Sequence, residues 1–261
     1  MPTSDLPLVH PERERAAFQP LKALHHFRKL IADKEDTEQV FHITNNLRSQ
    51  RYFDDAMRFL SSDAGRELMA RNENLVAILD DHETLKAMPA GSLGCAYVEF
   101  MERENITAQG LVEENAKFAS KIPSYPDQLE WFGHRLRDTH DLVHVLTGYG
   151  RDPLGEQCVL AFSYSQNFSL GFLFIAYAGG FEVKRRMPAK AKAPVFSAIR
   201  EAQRHGKAAA NIGHADISAL LARPLEEVRA EMNIVPPTRY QEAMRIYADA
   251  GVNPHNLLVA A

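Results

Sequence analysis

Residues 127–156 read DQLEWFGHRLRDTHDLVHVLTGYGRDPLGE, and this stretch decides the fold class. Asp127-Gln128-Leu129-Glu130 has the form of a capping box, a short acceptor at the N-cap and a longer acceptor three residues on. Leu129, Phe132, Leu136, Val143 and Leu146 then follow the 3-4 spacing of a buried stripe. That spacing predicts one helix from Asp127 to about Gly148. Gly148-Tyr149-Gly150 stops it, and Arg151-Asp152-Pro153-Leu154-Gly155 is a turn-rich link into the next helix. Glu156 falls in the first turn of that helix.

His140 and His144 continue the row of Phe132 and Leu136, each four residues after the last, so both imidazoles are expected to face the core. Asp141 lies about 100° round from His140 and borders the same face. If the following helix returns antiparallel, Glu156 faces His144 across the pair. His140, Asp141, His144 and Glu156 then form two nitrogen and two oxygen donors, a set suited to a divalent metal, Zn²⁺ before Fe or Mn. A cation would also offset the burial of two carboxylates, which is unfavourable when they are unpaired. The plainer alternative is a hydrogen-bonded histidine pair of a helical core. Two enzymatic patterns stand nearby. A zincin needs Glu directly after the first His, where this chain has the shorter Asp141. An HD-type phosphohydrolase needs further His and Asp ligands, for which Asp81 and His82 are the candidates.

Outward from this stretch the signals remain helical. Asp36-Thr37-Glu38-Gln39 reads as another capping box before Val40, Phe41, Ile43 and Leu47. Met57, Phe59 and Leu60 lead to the Ser61-Ser62-Asp63 punctuation, and Leu68 and Met69 belong to a further helix. Leu75, Ile78 and Leu79 recur at helical spacing, and Pro89 to Gly94 is a break before a helix carrying Tyr97, Phe100 and Met101. Alternating β-branched runs are nearly absent. The fold class expected is therefore all-α: a single compact multi-helix domain in which an antiparallel helix pair carries the metal site. The expected division is a flexible arm over 1–20, the helical domain over 21–240 and a C-terminal extension over 241–261.

From Gln157 to Phe181 no residue is charged. The continuous apolar portion, Leu170 to Phe181, is too short to cross about 30 Å of hydrocarbon. A buried helix pair or the wall of a greasy pocket fits better, with Leu170, Gly171, Phe172 and Phe174 as candidate lipid contacts. Gly171, Gly179 and Gly180 would admit a neighbouring helix or an acyl chain close to the backbone. Lys184, Arg185 and Arg186 follow, with Lys190 and Lys192, as a solvated loop or as a surface for anionic headgroups.

The chain has 261 residues, a hydrophobic fraction of 45%, a charged fraction of 25% and a formal net charge of −4. This is the balance of a soluble globular protein, and it argues against a nucleic-acid partner. Two cysteines, Cys95 and Cys158, cannot staple a chain of this size and fit a reducing compartment. Acidic residues near the start and the lack of an apolar stretch there predict neither a secretory signal nor a mitochondrial presequence, hence a cytoplasmic protein.

Three blocks resemble the ubiquinone-biosynthesis family called Coq4. They are SDAGRELMARNENLVAILDDHETLKAMPAGSLG from Ser62 to Gly94, continued by Ala96 to Met101; HDLVHVLTGYGRDPLGE from His140 to Glu156; and His205 to Ile234, above all Pro224-Leu225-Glu226-Glu227-Val228-Arg229. The resemblance covers about residues 35 to 236. Asn72-Glu73 stands where an Arg-Pro-like pair is expected, and Ala215-Asp216-Ile217 lacks a Trp. The resemblance implies an all-helical protein that binds a divalent metal, usually zinc, at His140, Asp141, His144 and Glu156. It also implies isoprenoid lipid binding and peripheral contact with the membrane, here the cytoplasmic face of the inner membrane. Other ubiquinone-biosynthesis proteins would be partners, and a homo-oligomer is compatible with this reading. The activity implied is metal-dependent oxidative decarboxylation, with hydroxyl replacing the C1 carboxylate of a polyprenylated hydroxybenzoate-type intermediate. The alternatives are a non-catalytic scaffold that presents the isoprenoid lipid, and a metal-dependent hydrolase of phosphoesters.

Overall fold

The computed structural model describes residues 3–14, 18–33, 36, 38–120 and 123–258. Among these the chain is helical throughout, with no strand beyond a single antiparallel bridge between Ser92 and Pro224. In chain order the helices begin with α1 (Pro20–Ala32), α2 (Glu38–Asn46), α3 (Gln50–Leu60), α4 (Asp63–Arg71), α5 (Leu75–Asp80) and α6 (His82–Lys86). Then come α7 (Leu93–Glu104), α8 (Ala108–Ala119), α9 (Gln128–Asp138), α10 (His140–Thr147) and α11 (Pro153–Asn167). The remainder are α12 (Leu170–Arg186), α13 (Val195–Ala208), α14 (Ile217–Leu220), α15 (Leu225–Glu231) and α16 (Thr238–Asp249). Helix α16 runs across the boundary expected at 240.

The chain contributes to two compact units. The first draws on Met1–Ala16, Gln50–Leu146 and Asn211–Met232. Its core joins Ala56, Phe59, Leu60, Leu68, Met69, Leu129 and Phe132. Short polar side chains start its helices: Ser62, Asn74, Ser92 and Thr107 each accept an N–H from the first turn of α4, α5, α7 and α8. Such caps contribute about 1 kcal/mol apiece. Asp127 caps α9 by accepting the Glu130 N–H at 2.8 Å. The predicted box closes differently, because Glu130 accepts the Tyr125 N–H at 2.8 Å. Arg13, from the opening segment, donates Nε and Nη2 to the buried Asp127 carboxylate at 2.6 and 2.7 Å. Pro7 O accepts the Gln128 N–H. The positions that depart from the family pattern also bear load here. Asn72 takes a left-handed φ of 48° at the end of α4, which Asn tolerates. Asp216 caps α14 and pairs with Arg71 at 2.8 Å.

The single helix expected from Asp127 to Gly148 is broken at Thr139, whose φ and ψ are −93° and 2°. The Thr139 hydroxyl donates to Arg135 O at 2.9 Å, the same carbonyl that receives its own N–H at 3.1 Å. Back-bonding of this kind bends helices. Gly148 ends α10 with φ +76°, as its sequence position suggests.

The second unit draws on Ala17–Ser49, Thr147–Ala210 and Asn233–Ala261. Here Asp36 takes the Gln39 amide at 2.9 Å beside the start of α2, while Thr37 lies outside the described residues. Asp152 caps α11 through the Leu154 and Gly155 N–H groups, and its second oxygen takes the Tyr240 hydroxyl proton. The uncharged run folds as two helices, α11 and α12, divided where Phe168 adopts φ 60° and Ser169 caps α12. No helix of the described residues is long and apolar enough to cross a membrane. Helix α11 is buried on nearly every side, with Leu154, Cys158, Val159, Ala161 and Phe162 fully enclosed. The glycines of α12 receive protein. A Cβ on Gly171 would stand 2.6 Å from Thr44 Cα, one on Gly179 2.4 Å from Gln157 Oε1, and one on Gly180 2.4 Å from Ile199 Cδ1.

Gly171→Ala is expected to lower stability by about 1–3 kcal/mol in urea denaturation, because the clash is with α2 backbone. A second expectation concerns pH. His214 stacks on Phe59 at 4.0 Å, and burial, then Arg135 and Arg58, push its pKa down from 6.5 to about 4. Below 6.5 the unfolded chain takes up a proton that the fold refuses, so stability falls toward pH 4. The slope reaches at most about 1.4 kcal/mol per pH unit. Burial raises Asp55, at 4.0 Å from His214, so its proton uptake favours the fold and works the other way at the acid end. His214→Gln should flatten the fall in denaturation midpoint across that window.

Candidate metal centre

Helix α10 is short and fixed at both ends. Thr139 breaks the chain just before His140, and at the far end Arg229 of α15 donates Nε to Leu146 O and Nη2 to Val145 O, both at 2.8 Å. A guanidinium on the last carbonyls satisfies free acceptors and complements the negative end of the helix. Leu142 and Leu146 are fully enclosed, which sets the rotation of the helix about its axis. With that rotation, His140, Asp141 and His144 turn inward together. Each offers one ligand atom, and the three atoms lie within 4.8 Å of one another.

The two imidazoles meet edge to face, with ring centroids 5.1 Å apart. His144 is 1% exposed and Asp141 9%, while His140 is half-buried. Phe100 of α7 lies over His144 at 5.5 Å with an interplanar angle of 24°. Zinc–ligand bonds of about 2.0–2.2 Å place tetrahedral donors roughly 3.3 Å apart, so a modest contraction would complete the grip. Two nitrogens and a carboxylate oxygen are the donor chemistry of a Zn²⁺ or Fe²⁺ site. The three residues present fit such an ion.

The fourth expected ligand, Glu156, lies in the first turn of α11 as the sequence suggested. It belongs to the second unit, where its carboxylate stands 3.6 Å from Arg151 Nε. Among the described residues, the cluster of possible metal ligands comprises His140, Asp141 and His144. Asp81 caps α6 by accepting the Thr84 N–H and hydroxyl, and His82 Nδ1 is 3.8 Å from Glu102; neither belongs to the cluster of possible ligands found among the described residues.

The candidate lipid contacts lie at the start of α12. Gly171 is buried against α2, while Leu170, Phe172 and Phe174 are half-buried, and Phe174 meets Phe27 of α1 edge-on at 5.3 Å. Lys184 and Arg185 are exposed at the other end of α12. Arg185 pairs with Glu182 at 2.6 Å, Arg186 stands 3.7 Å from the same carboxylate, and Lys184 lies over the Phe196 ring.

Phe100, Arg229 and Thr139 shape the centre; the first two fall in blocks that resemble the family, but none reads as a site residue in the sequence. Phe100 and Arg229 could be read only as helix residues, since their role comes from contacts to α10 across long stretches of chain.

A wholly helical chain in which a His-Asp-x-x-His helix turns three donors to one point defines a helical protein with a candidate divalent-cation centre. The family model of the coenzyme Q (ubiquinone) biosynthesis protein Coq4 matches residues 43–238, and the chain belongs to that family. A ubiquinone biosynthesis protein COQ4 homolog 2, mitochondrial, of Culex quinquefasciatus is 35% identical over 107 residues, 40% of this chain and 45% of the relative. The mitochondrial COQ4 homolog of Aedes aegypti is 29% identical over 181 residues, 69% of this chain and 61% of the relative. The chain thus spans less than half the length of the Culex relative it matches. A crystal structure from Nostoc punctiforme, of a protein provisionally assigned to ubiquinone biosynthesis, superposes with a TM-score of 0.58. It covers 83% of this chain and 99% of its own at 18% identity, a likeness of fold.

His144→Ala is expected to abolish stoichiometric binding of zinc, read by elemental analysis after dialysis. A full equivalent retained by that variant would contradict the ligand assignment.

Proposed function

We propose that this chain acts in ubiquinone biosynthesis on a polyprenylated hydroxybenzoate-type intermediate, replacing the C1 carboxylate of the ring by hydroxyl. The observation that carries the reading is the convergence of His140, Asp141 and His144 on one helix of a Coq4-family chain. Glu156 completes the ligand set in this reading, on the strength of the family motif. A divalent ion held there would supply Lewis acidity toward a carboxylate or phenolate oxygen. The exchange is a two-electron oxidation in which carbon dioxide leaves. Zinc has no redox chemistry, so the electrons pass to oxygen or another acceptor.

The chain's own residues bind and orient. His140, the least buried of the three, is best placed to exchange a proton with the bound ring. Phe100, stacked over His144, helps to hold that imidazole in orientation. Leu170, Phe172 and Phe174 are the proposed contacts of the prenyl tail, and Lys184, Arg185 and Arg186 the contact with anionic headgroups at the cytoplasmic face of the inner membrane. The related insect proteins carry the word mitochondrial in their names. Other ubiquinone-biosynthesis proteins are the proposed partners.

The near-complete burial of His144 and Asp141 favours a second reading, a structural metal in a scaffold that presents the isoprenoid lipid to other enzymes. The experiment that separates them supplies the metal-loaded protein with a prenylated C1 carboxylate and oxygen. Formation of the C1-hydroxylated product and carbon dioxide is the expected result. No turnover, together with complementation of a ubiquinone-deficient strain by a folded, metal-free variant, would establish the scaffold instead.

A further inference from the structure

Tyr97 stands on α7 three residues before Phe100, so the two side chains share a face of that helix. Phe100 lies over His144, which turns this face toward the α10 cluster. Tyr97 is 1% exposed, and its hydroxyl has no hydrogen-bond partner among the described residues. A buried hydroxyl in that condition is unfavourable and uncommon in native proteins, and it calls for an explanation.

Three carboxylates act on this hydroxyl, Asp141 most strongly, then Asp80 and Asp138. Two of them have other donors. Asp80 takes the Ala108 and Gln109 N–H groups at 2.7 and 2.9 Å, and Asp138 takes Arg137 Nε at 2.7 Å. Asp141 is turned into the metal-ligand group. Burial and these negative charges hold the phenol in its protonated form. Tyr97 therefore keeps a proton to donate, on the helix face that meets the α10 cluster, with no acceptor among the described residues to receive it.

We propose that the Tyr97 hydroxyl is a ligand-binding donor of the His140–Asp141–His144 site and donates to a carboxylate or phenolate oxygen of an aromatic molecule bound there. This rests on the reading of α10 as the metal centre, because a divalent cation on Asp141 reverses the local field that would otherwise repel an anion. The hydroxyl fixes which oxygen of that molecule points inward.

Tyr97→Phe removes the hydroxyl and keeps the ring. Wild-type, Tyr97→Phe and His144→Ala chains are loaded with zinc, assayed for metal content, and titrated with para-hydroxybenzoate by calorimetry. The expected result is affinity at least about tenfold weaker in Tyr97→Phe, as for loss of a bond to a charged acceptor. Zinc content should equal that of wild type, and the thermal midpoint should be unchanged or raised, since an unpaired buried group has gone. Equal affinities, no binding by zinc-loaded wild type, or a lower midpoint in Tyr97→Phe would each overturn the proposal; the last would mean that the hydroxyl serves the fold. The metal reading fails separately, by absence of zinc from wild type or its retention in His144→Ala. In either case the metal-free proteins are titrated, and equal affinities there overturn the Tyr97 assignment on its own.

Discussion

The short helix α10 is held against rotation and against extension, and the rest of the candidate centre depends on that hold. At its start the Thr139 hydroxyl competes for Arg135 O and breaks the ladder. At its end Gly148 takes a left-handed φ of 76°, and Arg229 fastens to the Val145 and Leu146 carbonyls. Between these stops there are two turns of helix, and Leu142 and Leu146 are buried on the side that does not carry chemistry. A helix of this length is marginal by itself, and tertiary contacts supply its stability. Packing and end-capping therefore align the three donors, and the two imidazoles meet edge to face.

Such an arrangement suits a group that must be enclosed before it binds anything. Burying Asp141 and two imidazoles is unfavourable in isolation, since a carboxylate taken from water needs a partner. The surrounding elements keep their own polar groups occupied with one another. Arg135 gives its N–H groups to Gly213 O and Ala215 O, Asp80 caps α8, and Asp127 is saturated by Arg13 and the α9 N-terminus. Among the buried polar atoms without a hydrogen-bond partner is the Tyr97 hydroxyl, and it lies on the helix whose Phe100 covers His144. A surplus donor beside a cluster of metal-type donors is the signature of a place where a ligand is expected.

In the second unit the same economy appears around α11. Its N-terminus is closed by Asp152, which the Tyr240 hydroxyl caps in turn while accepting the Gly150 N–H at 3.0 Å. From Gln157 onward the helix can run buried and uncharged because its interior backbone groups are paired along the helix, while Asp152 takes the first N–H groups. The αL residue Phe168 divides the apolar run into two lengths that pack on α2 and α13, and the glycines of α12 are used for that packing.

The sequence by itself determined the all-helical class and the shared face of His140, Asp141 and His144. The 3-4 spacing, the caps at Ser62, Ser92, Asp127 and Asp152 and the stop at Gly148 are local features, and local hydrogen bonds reproduce them. The His-Asp-x-x-His spacing likewise puts its side chains on one face whatever surrounds the helix. Tertiary structure alone decided the rest. Thr139 has the choice of continuing or bending the helix, and the periodicity of flanking apolar residues reads across it without registering the break. Where Glu130 reaches, that Arg13 returns to Asp127, and that Phe100 covers His144 are contacts between segments 5 to more than 100 residues apart. Their energies come from burial and pairing that exist only once the helices have docked, so no spacing along the chain encodes them.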